Sequence, residues 1–250
     1  MPPVLVSLAA FGAAEVSRHG QPWFARLASE AGADAVEVRG ELLRDDLHEE
    51  LALLASFTSV YSEPLGLWTA DEGDLDTGAL ERALTRAKAL GAPRIKMSIG
   101  GWRAASRDSL GELAGMLSAA SIELLIENDQ TETAGTLDAL QAFFAAADSA
   151  GLDLGMTFDM GNWHFVGECP LRAAEALAPR VRYVHCKGVQ RLPAKWVAVP
   201  MTQSQAPWRA VLRALPANVP HAIEYPLAGD DLLAVTRDEI AHIRLLRAPL

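Results

Sequence analysis

Glu127 in IELLIEN, Asp159 in GMTFDM, His185 in RYVHCK and Glu224 in HAIEYP each sit at the downstream end of a short, largely apolar run in the second half of the chain. Three carboxylates and one imidazole are donor types that suit a hard to borderline divalent cation. They can share one cation only if four distant segments end side by side. A closed parallel barrel does this, because all its strands finish on one face. A single Glu or Asp at a strand end reads first as a helix cap or a solvated rim charge. Four such groups facing one barrel interior read differently, since buried carboxylates are costly unless paired or coordinated.

The elements that must position these residues follow a repeating pattern: an amphipathic helix, a stop glycine, a short turn and a compact apolar strand. It recurs around Gly32, Gly91 and Gly151. Glycine suits the position just past a helix end because it enters the left-handed region without a Cβ clash. Before Gly151, Thr136 is a candidate N-cap, and Leu137, Leu140, Phe144 and Ala147 share one helical face. The same reading along the chain predicts strands near 3–9, 34–39, 57–62, 94–99, 122–127, 154–159, 181–187 and 220–225, with helices between them. Eight such units in 250 residues predict a single (β/α)8 TIM barrel spanning residues 1–250, since no linker or charge block divides the chain. The polar FTSVYSE weakens the third strand, and 188–203, with Pro193 and Pro200, reads as a long loop. The connections 63–75, 99–107, 128–135 and 188–203 all follow strands, so they belong on the face where barrel active sites are built.

Residues two apart on a strand share a face. Leu125 with Glu127, Thr157 with Asp159, Tyr183 with His185 and Lys187, and Ala222 with Glu224 are therefore expected to point inward. Glu37 and Arg39 share an inward face on the second strand, as a buried ion pair or as pocket lining, with structure favoured for Glu37. Lys96, Ser98, Trp102 and Trp68 are candidates to border a ligand. His19, His48, His221 and His242 receive no role.

The formal charge of −10 argues against nucleic acid, whose binding relies on Lys and Arg displacing counterions. Cys169 and Cys186 are too few and too far apart for a disulfide framework or a C-x-x-C site, which fits a reducing cytoplasm. MPPVLVSLAAFG lacks a basic leader region, LLRAPL carries no lipidation signal, and no apolar run reaches the roughly eighteen residues of a membrane span. The expectation is a protein neither inserted in nor anchored to a membrane. The oligomeric state stays open, with a homo-oligomer among the options.

Glu127, Asp159, His185 and Glu224, in that order on strands five to eight, resemble the metal ligands of the xylose isomerase-like barrel superfamily, in the branch holding ketose 3-epimerases, hydroxypyruvate isomerase and inositol-pathway enzymes. FDMGNWHFVGECPLRA is similar to that branch's D-x-G-N form of strand six. SLAAFGAAEVSRHGQ and GADAVEVRGELL carry a fainter similarity to epimerases of 2-ketogluconate utilisation. The resemblance implies one divalent metal ion (Mn, Mg, Co or Zn) on those four residues, with Glu127 and Glu224 also acting as acid–base groups. It implies a sugar isomerase or epimerase that abstracts a proton next to the carbonyl of a keto-sugar or sugar acid through a metal-stabilised enediolate. Asn162, Lys187 and Arg191 are the expected substrate-binding residues, although a barrel-mouth salt bridge or a solvated loop charge explains Lys187 and Arg191 equally well. The chain departs from the pattern in having Asn162 where the epimerases carry His, and in His185-Cys186-Lys187-Gly188, which lacks the Asp of H-x-K-D. Both departures bear on the substrate more than on the metal.

Three alternatives follow. A lyase would expel a β-hydroxyl from the same enediolate. A phosphodiesterase of the endonuclease IV type would need a three-zinc cluster, where the mouths of strands three and four offer Glu63 and Ser98. A non-catalytic barrel would bind a sugar or a partner protein and turn nothing over.

Overall fold

The described residues form ten strands: β1 (Val4–Ser7), β2 (Ala35–Arg39), β3 (Ser59–Ser62), β4 (Arg94–Met97), β5 (Glu123–Glu127), β6 (Gly155–Asp159), β7 (Val181–Cys186), β8 (Gly188–Arg191), β9 (Trp196–Val199) and β10 (His221–Ile223). The computed structural model describes residues 2–44 and 47–246. Eight strands close into a parallel barrel in the order β1-β10-β7-β6-β5-β4-β3-β2, and β8 with β9 form a separate antiparallel pair. The expected strands are therefore present, each trimmed at one or both ends, and the polar third strand pairs with both neighbours. Met1 and residues 247–250, part of the leader and lipidation readings, lie outside the described residues. Among the described residues, no helix is long and apolar enough to cross a membrane.

Closure comes from two apolar layers. Leu5, Val60, Leu125, Tyr183 and Ala222 meet inside the barrel, which confirms the expected inward positions of Leu125, Tyr183 and Ala222. On the outside, Val36, Ile95, Ile126, Phe158 and Val184 pack beneath helices such as Thr77–Leu90 and Leu137–Ser149. Burying each of these side chains contributes roughly 1.5–3 kcal/mol relative to leaving it exposed. The stop glycines behave as their chemistry demands: Gly32, Gly91 and Gly151 all have positive φ. Thr136 does occupy the N-cap position, but its hydroxyl donates to the Glu132 carbonyl and makes no cap bond. The Leu137 N–H is taken instead by the Glu168 carboxylate.

The segment expected to be a long loop is a hairpin. Val189 pairs with Ala198 and Arg191 with Trp196, and the Leu192 N–H donates to the Lys195 carbonyl to close the turn. The two prolines that argued for a loop fall in the turn and just past β9, where no ladder donor is needed. Glycine is required where two mouth loops touch: a Cβ on Gly101 would lie 2.0 Å from the Thr69 carbonyl oxygen, and one on Gly100 2.4 Å from that of Trp68. This contact packs the β3 and β4 connections against each other at the rim.

Candidate metal centre

The strand order places β5, β6, β7 and β10 side by side, with Asp159 in register with His185 and Ala222 also opposite His185. Glu127, Asp159, His185 and Glu224 consequently converge, with one donor atom from each lying within 4.8 Å of the others. His185 Nδ1 is 2.8 Å from Glu224 Oε2, 3.0 Å from Glu127 Oε1 and 3.8 Å from Asp159 Oδ2. Donors at about 2.1 Å from a common ion and at right angles to each other stand about 3 Å apart, and opposed donors about 4.2 Å. The three His185 spacings fall near this range, and the 4.8 Å bound on the whole set lies slightly above it, so one ion would draw the donors inward.

Two further observations support the fit. Asp159 Oδ2 is buried with no donor aligned on it, although the Lys187 ammonium approaches to 2.7 Å off the hydrogen-bonding direction. His185 Nε2 lies 2.7 Å from Glu37 Oε2, which fixes the ring and turns Nδ1 toward the cluster. A carboxylate behind a ligating histidine is the arrangement that sets its tautomer and raises its basicity.

The backbone is tied down just as closely. Asn128 makes paired bonds to the Asp159 peptide, accepting from its N–H at 2.9 Å and donating to its carbonyl at 3.0 Å. The N–H groups of Gly161 and Asn162 both donate to Asp159 Oδ1 at 2.8 Å, leaving Oδ2 to face the cluster. Asn162 donates to the Asn128 carbonyl, and its Oδ1 accepts from Gln130 and Lys187. The D-x-G-N stretch is thus a local cradle for its own aspartate.

Each glutamate of the cluster has a cationic partner. Lys96 pairs with Glu127, and Arg39 Nη1 lies 2.6 Å from Glu224 Oε1 and 3.1 Å from Glu37. Burial would raise both glutamates, but Lys96 and His185 hold Glu127 below its ordinary value, and His185 and Lys187 hold Glu224 well below. Burial pushes Asp159 up. Burial would lower His185, yet Glu224 and Glu37 raise it well above an ordinary imidazole. Glu37, Glu127, Asp159 and Glu224 stand against Arg39, Lys96, Lys187 and the His185 ring, whose charged form these carboxylates favour, so the buried set is balanced only while the imidazole keeps its proton.

Glu37 provides a pH test. Burial alone would push its carboxyl up, but His185, Lys96 and Arg39 overcome this and bring it from 4.5 to about 2. Because the folded value is the lower one, the stabilisation is complete above about 4.5 and lost as pH falls toward about 2. With chelator present, the urea midpoint should fall less between about pH 6 and about pH 3 in Glu37→Gln than in wild type. Equal falls would show that Glu37 does not carry the linkage.

A cavity of about 290 Å³ opens beside the cluster, lined by Arg39, Lys96, Glu127, Asn162, Lys187 and Glu224 among others. It lies near the small end of ligand-site volumes. A larger groove of about 580 Å³, flanked by Leu51, Arg82 and Arg86, shares no residue with the cluster. Lys187 reaches the cavity because Gly161 has no side chain, since a Cβ there would lie 2.8 Å from both Cγ and Cδ of the lysine. Gly161 has an ordinary helical backbone, so Gly161→Ala tests the contact alone. The expected loss is about 1–3 kcal/mol in urea unfolding, as for other overpacked sites. Wild-type stability would mean the lysine stem has room to move.

Arg191 is placed differently from the other sequence candidates. It is exposed on β8 with its guanidinium 5.4 Å from the centre of the Trp196 ring, and it is not among the cavity-lining residues. Glu63, considered for a multi-zinc site, is engaged by the Tyr61 hydroxyl at 3.0 Å and by Arg86 at 3.6 Å. Arg39 pairs with Glu37 and lines the cavity, and Lys96 borders it, as their inward positions led one to expect; the pairings of Arg39 with Glu224 and of Lys96 with Glu127, and the part played by Asn128, went unassigned in the sequence. The inward alternation of Glu37 with Arg39 was the signal for the first of them.

Fold and cluster together define a parallel (β/α)8 barrel with a carboxylate–imidazole site at its C-terminal mouth. The chain belongs to the xylose isomerase-like TIM barrel family, whose model matches residues 25–246. Among curated proteins there is no match. Similar solved structures include an L-ribulose 3-epimerase, at 14% identity and a TM-score of 0.72 over 98% of this chain and 94% of that one. The probable 3-DHS dehydratase AsbF of Bacillus anthracis aligns at 14% identity and a TM-score of 0.67, covering 98% and 99%. The IOLI protein with a bound zinc atom aligns at 13% and 0.66, covering 98% and 96%. At these identities the likeness concerns the fold.

Proposed function

We propose that this protein is a divalent-metal-dependent isomerase or epimerase of a small carbohydrate, a keto-sugar or sugar acid, working by proton transfer next to a carbonyl. The observation that carries this reading is the placement of Glu127 and Glu224. They come from β5 and β10, on either side of β6 and β7, and flank Asp159 and His185 at the wall of one small cavity.

Glu127, Asp159, His185 and Glu224 would hold the metal, and the ion when bound would supply positive charge for substrate oxygens that become anionic. The protein's own groups do the rest. Both glutamates are held ionised by their neighbours, so either can take a proton from a carbon presented between them; the proton returned to carbon is then that same one, or one the opposite glutamate has first taken up from solvent. Lys96 and Arg39 keep these carboxylates in place. Lys187 and Asn162 supply an ammonium and an amide for hydroxyl or carboxylate oxygens of the substrate. Arg191 would join them only if the hairpin brought it over the cavity. Cys186, buried, and Cys169, exposed, are not joined in a disulfide, which supports a reducing cytoplasmic setting.

The test is a solvent deuterium-exchange screen of the metal-supplemented protein across ketoses, keto-acids and inososes. Incorporation of deuterium at carbon with no loss of water supports isomerisation or epimerisation. Loss of water would instead assign the lyase reaction of the same intermediate. No exchange with any compound and any of Mn²⁺, Mg²⁺, Co²⁺ or Zn²⁺ would count against an enzyme of this class.

A further inference from the structure

The oxygens best placed to receive a metal already carry a cation. Lys187 Nζ lies 2.7 Å from Asp159 Oδ2 and 2.9 Å from Glu224 Oε2. These are the atoms nearest His185 Nδ1 in those two residues. The other oxygen of each carboxylate is committed, Asp159 Oδ1 to two backbone N–H groups and Glu224 Oε1 to Arg39. An ammonium and a dication resting on the same two oxygens would stand a few ångströms apart, where like charges repel even at the effective dielectric of a protein site.

Building on the metal-centre reading above, we infer that Lys187 is an internal counter-cation that the metal displaces. The ammonium neutralises Asp159 and Glu224 in the metal-free protein and yields them to the ion. Its route is set by the surroundings: Gly161 leaves space for the stem, Asn162 Oδ1 stays within reach at 3.1 Å, and Lys187 already lines the cavity. Metal loading therefore does two things. It fills the ligand cluster and releases a positive charge into the space where the substrate binds. Lys187 also sets the metal affinity below what the four ligands alone would give.

The experiment compares Mn²⁺ binding to wild type and Lys187→Met, following free Mn²⁺ by electron paramagnetic resonance. Lys187→Met should bind on the order of tenfold more tightly or better, because a competing charge has been removed. In chelator the variant should melt below wild type, and added Mn²⁺ should close or reverse the gap. A variant that folds only with Mn²⁺ also supports the exchange. Equal or weaker affinity in Lys187→Met, with wild type binding normally, overturns it. If Lys187→Met does not fold, Lys187→Gln takes its place. Failure of both to fold even with Mn²⁺ overturns it as well, since the ion would have taken over the charge that the ammonium supplied. A wild type that binds no divalent ion is a separate result, and it removes the metal-centre reading together with this inference.

Discussion

Glu127→Gln is expected to lower the rate of solvent deuterium exchange into the substrate by about 10²–10⁴, the usual contribution of a positioned general base. Glutamine keeps the size of the side chain and its ability to accept hydrogen bonds, but it cannot take up a proton. Loss of the charge also frees Lys96 from its partner and removes one anionic donor from the cluster. Part of the loss could therefore come from weaker metal binding, so the rate is to be measured at saturating metal, with occupancy checked by Mn²⁺ titration. Glu224→Gln should show a comparable loss, and Arg39, its partner at 2.6 Å, would then be left facing Glu37 and Glu41. Wild-type exchange in Glu127→Gln at full occupancy would take that residue out of the mechanism.

Metal removal is the second large effect. Four donors from β5, β6, β7 and β10 meet only in the folded chain, so an ion binding there stabilises the native state by mass action. At free metal about a hundred times its dissociation constant the gain is about 2.7 kcal/mol, or roughly 5–11 °C in Tm for a domain of this size. EDTA should lower the melting temperature by that amount, and Mn²⁺, Co²⁺ or Mg²⁺ should restore it. The four-residue variant with Glu127, Asp159, His185 and Glu224 all changed should show no response. Absence of a shift in wild type with any divalent ion would weigh heavily against the centre.

Much of this site was readable before any coordinates, for reasons specific to its residues. Each ligand lies at or just past the downstream end of a strand whose alternation is visible in sequence, so its face and its end of the barrel follow from the period of two. Gly32, Gly91 and Gly151 mark helix stops that need positive φ, and all three show it. The hairpin at β8 and β9 departs from the expected loop because Pro193 and Pro200, which read as loop signals in sequence, lie in a turn and beyond a strand end, where they interrupt no ladder. Thr136 makes no cap bond because its hydroxyl is turned to the Glu132 carbonyl, while the first N–H of the helix, that of Leu137, is met by Glu168 from the next βα unit.

Residue types, strand periodicity and glycine stops were enough to determine the barrel and the identity of the four converging donors, because these are local properties of short segments. Which charges neutralise one another was decided only by the tertiary structure. Arg39 meets Glu224 across 185 residues, and Glu37 meets His185 across 148. No local rule encodes such pairings, because they exist only when barrel closure brings β2 within reach of β7 and β10 and excludes the water that would otherwise keep these charges apart.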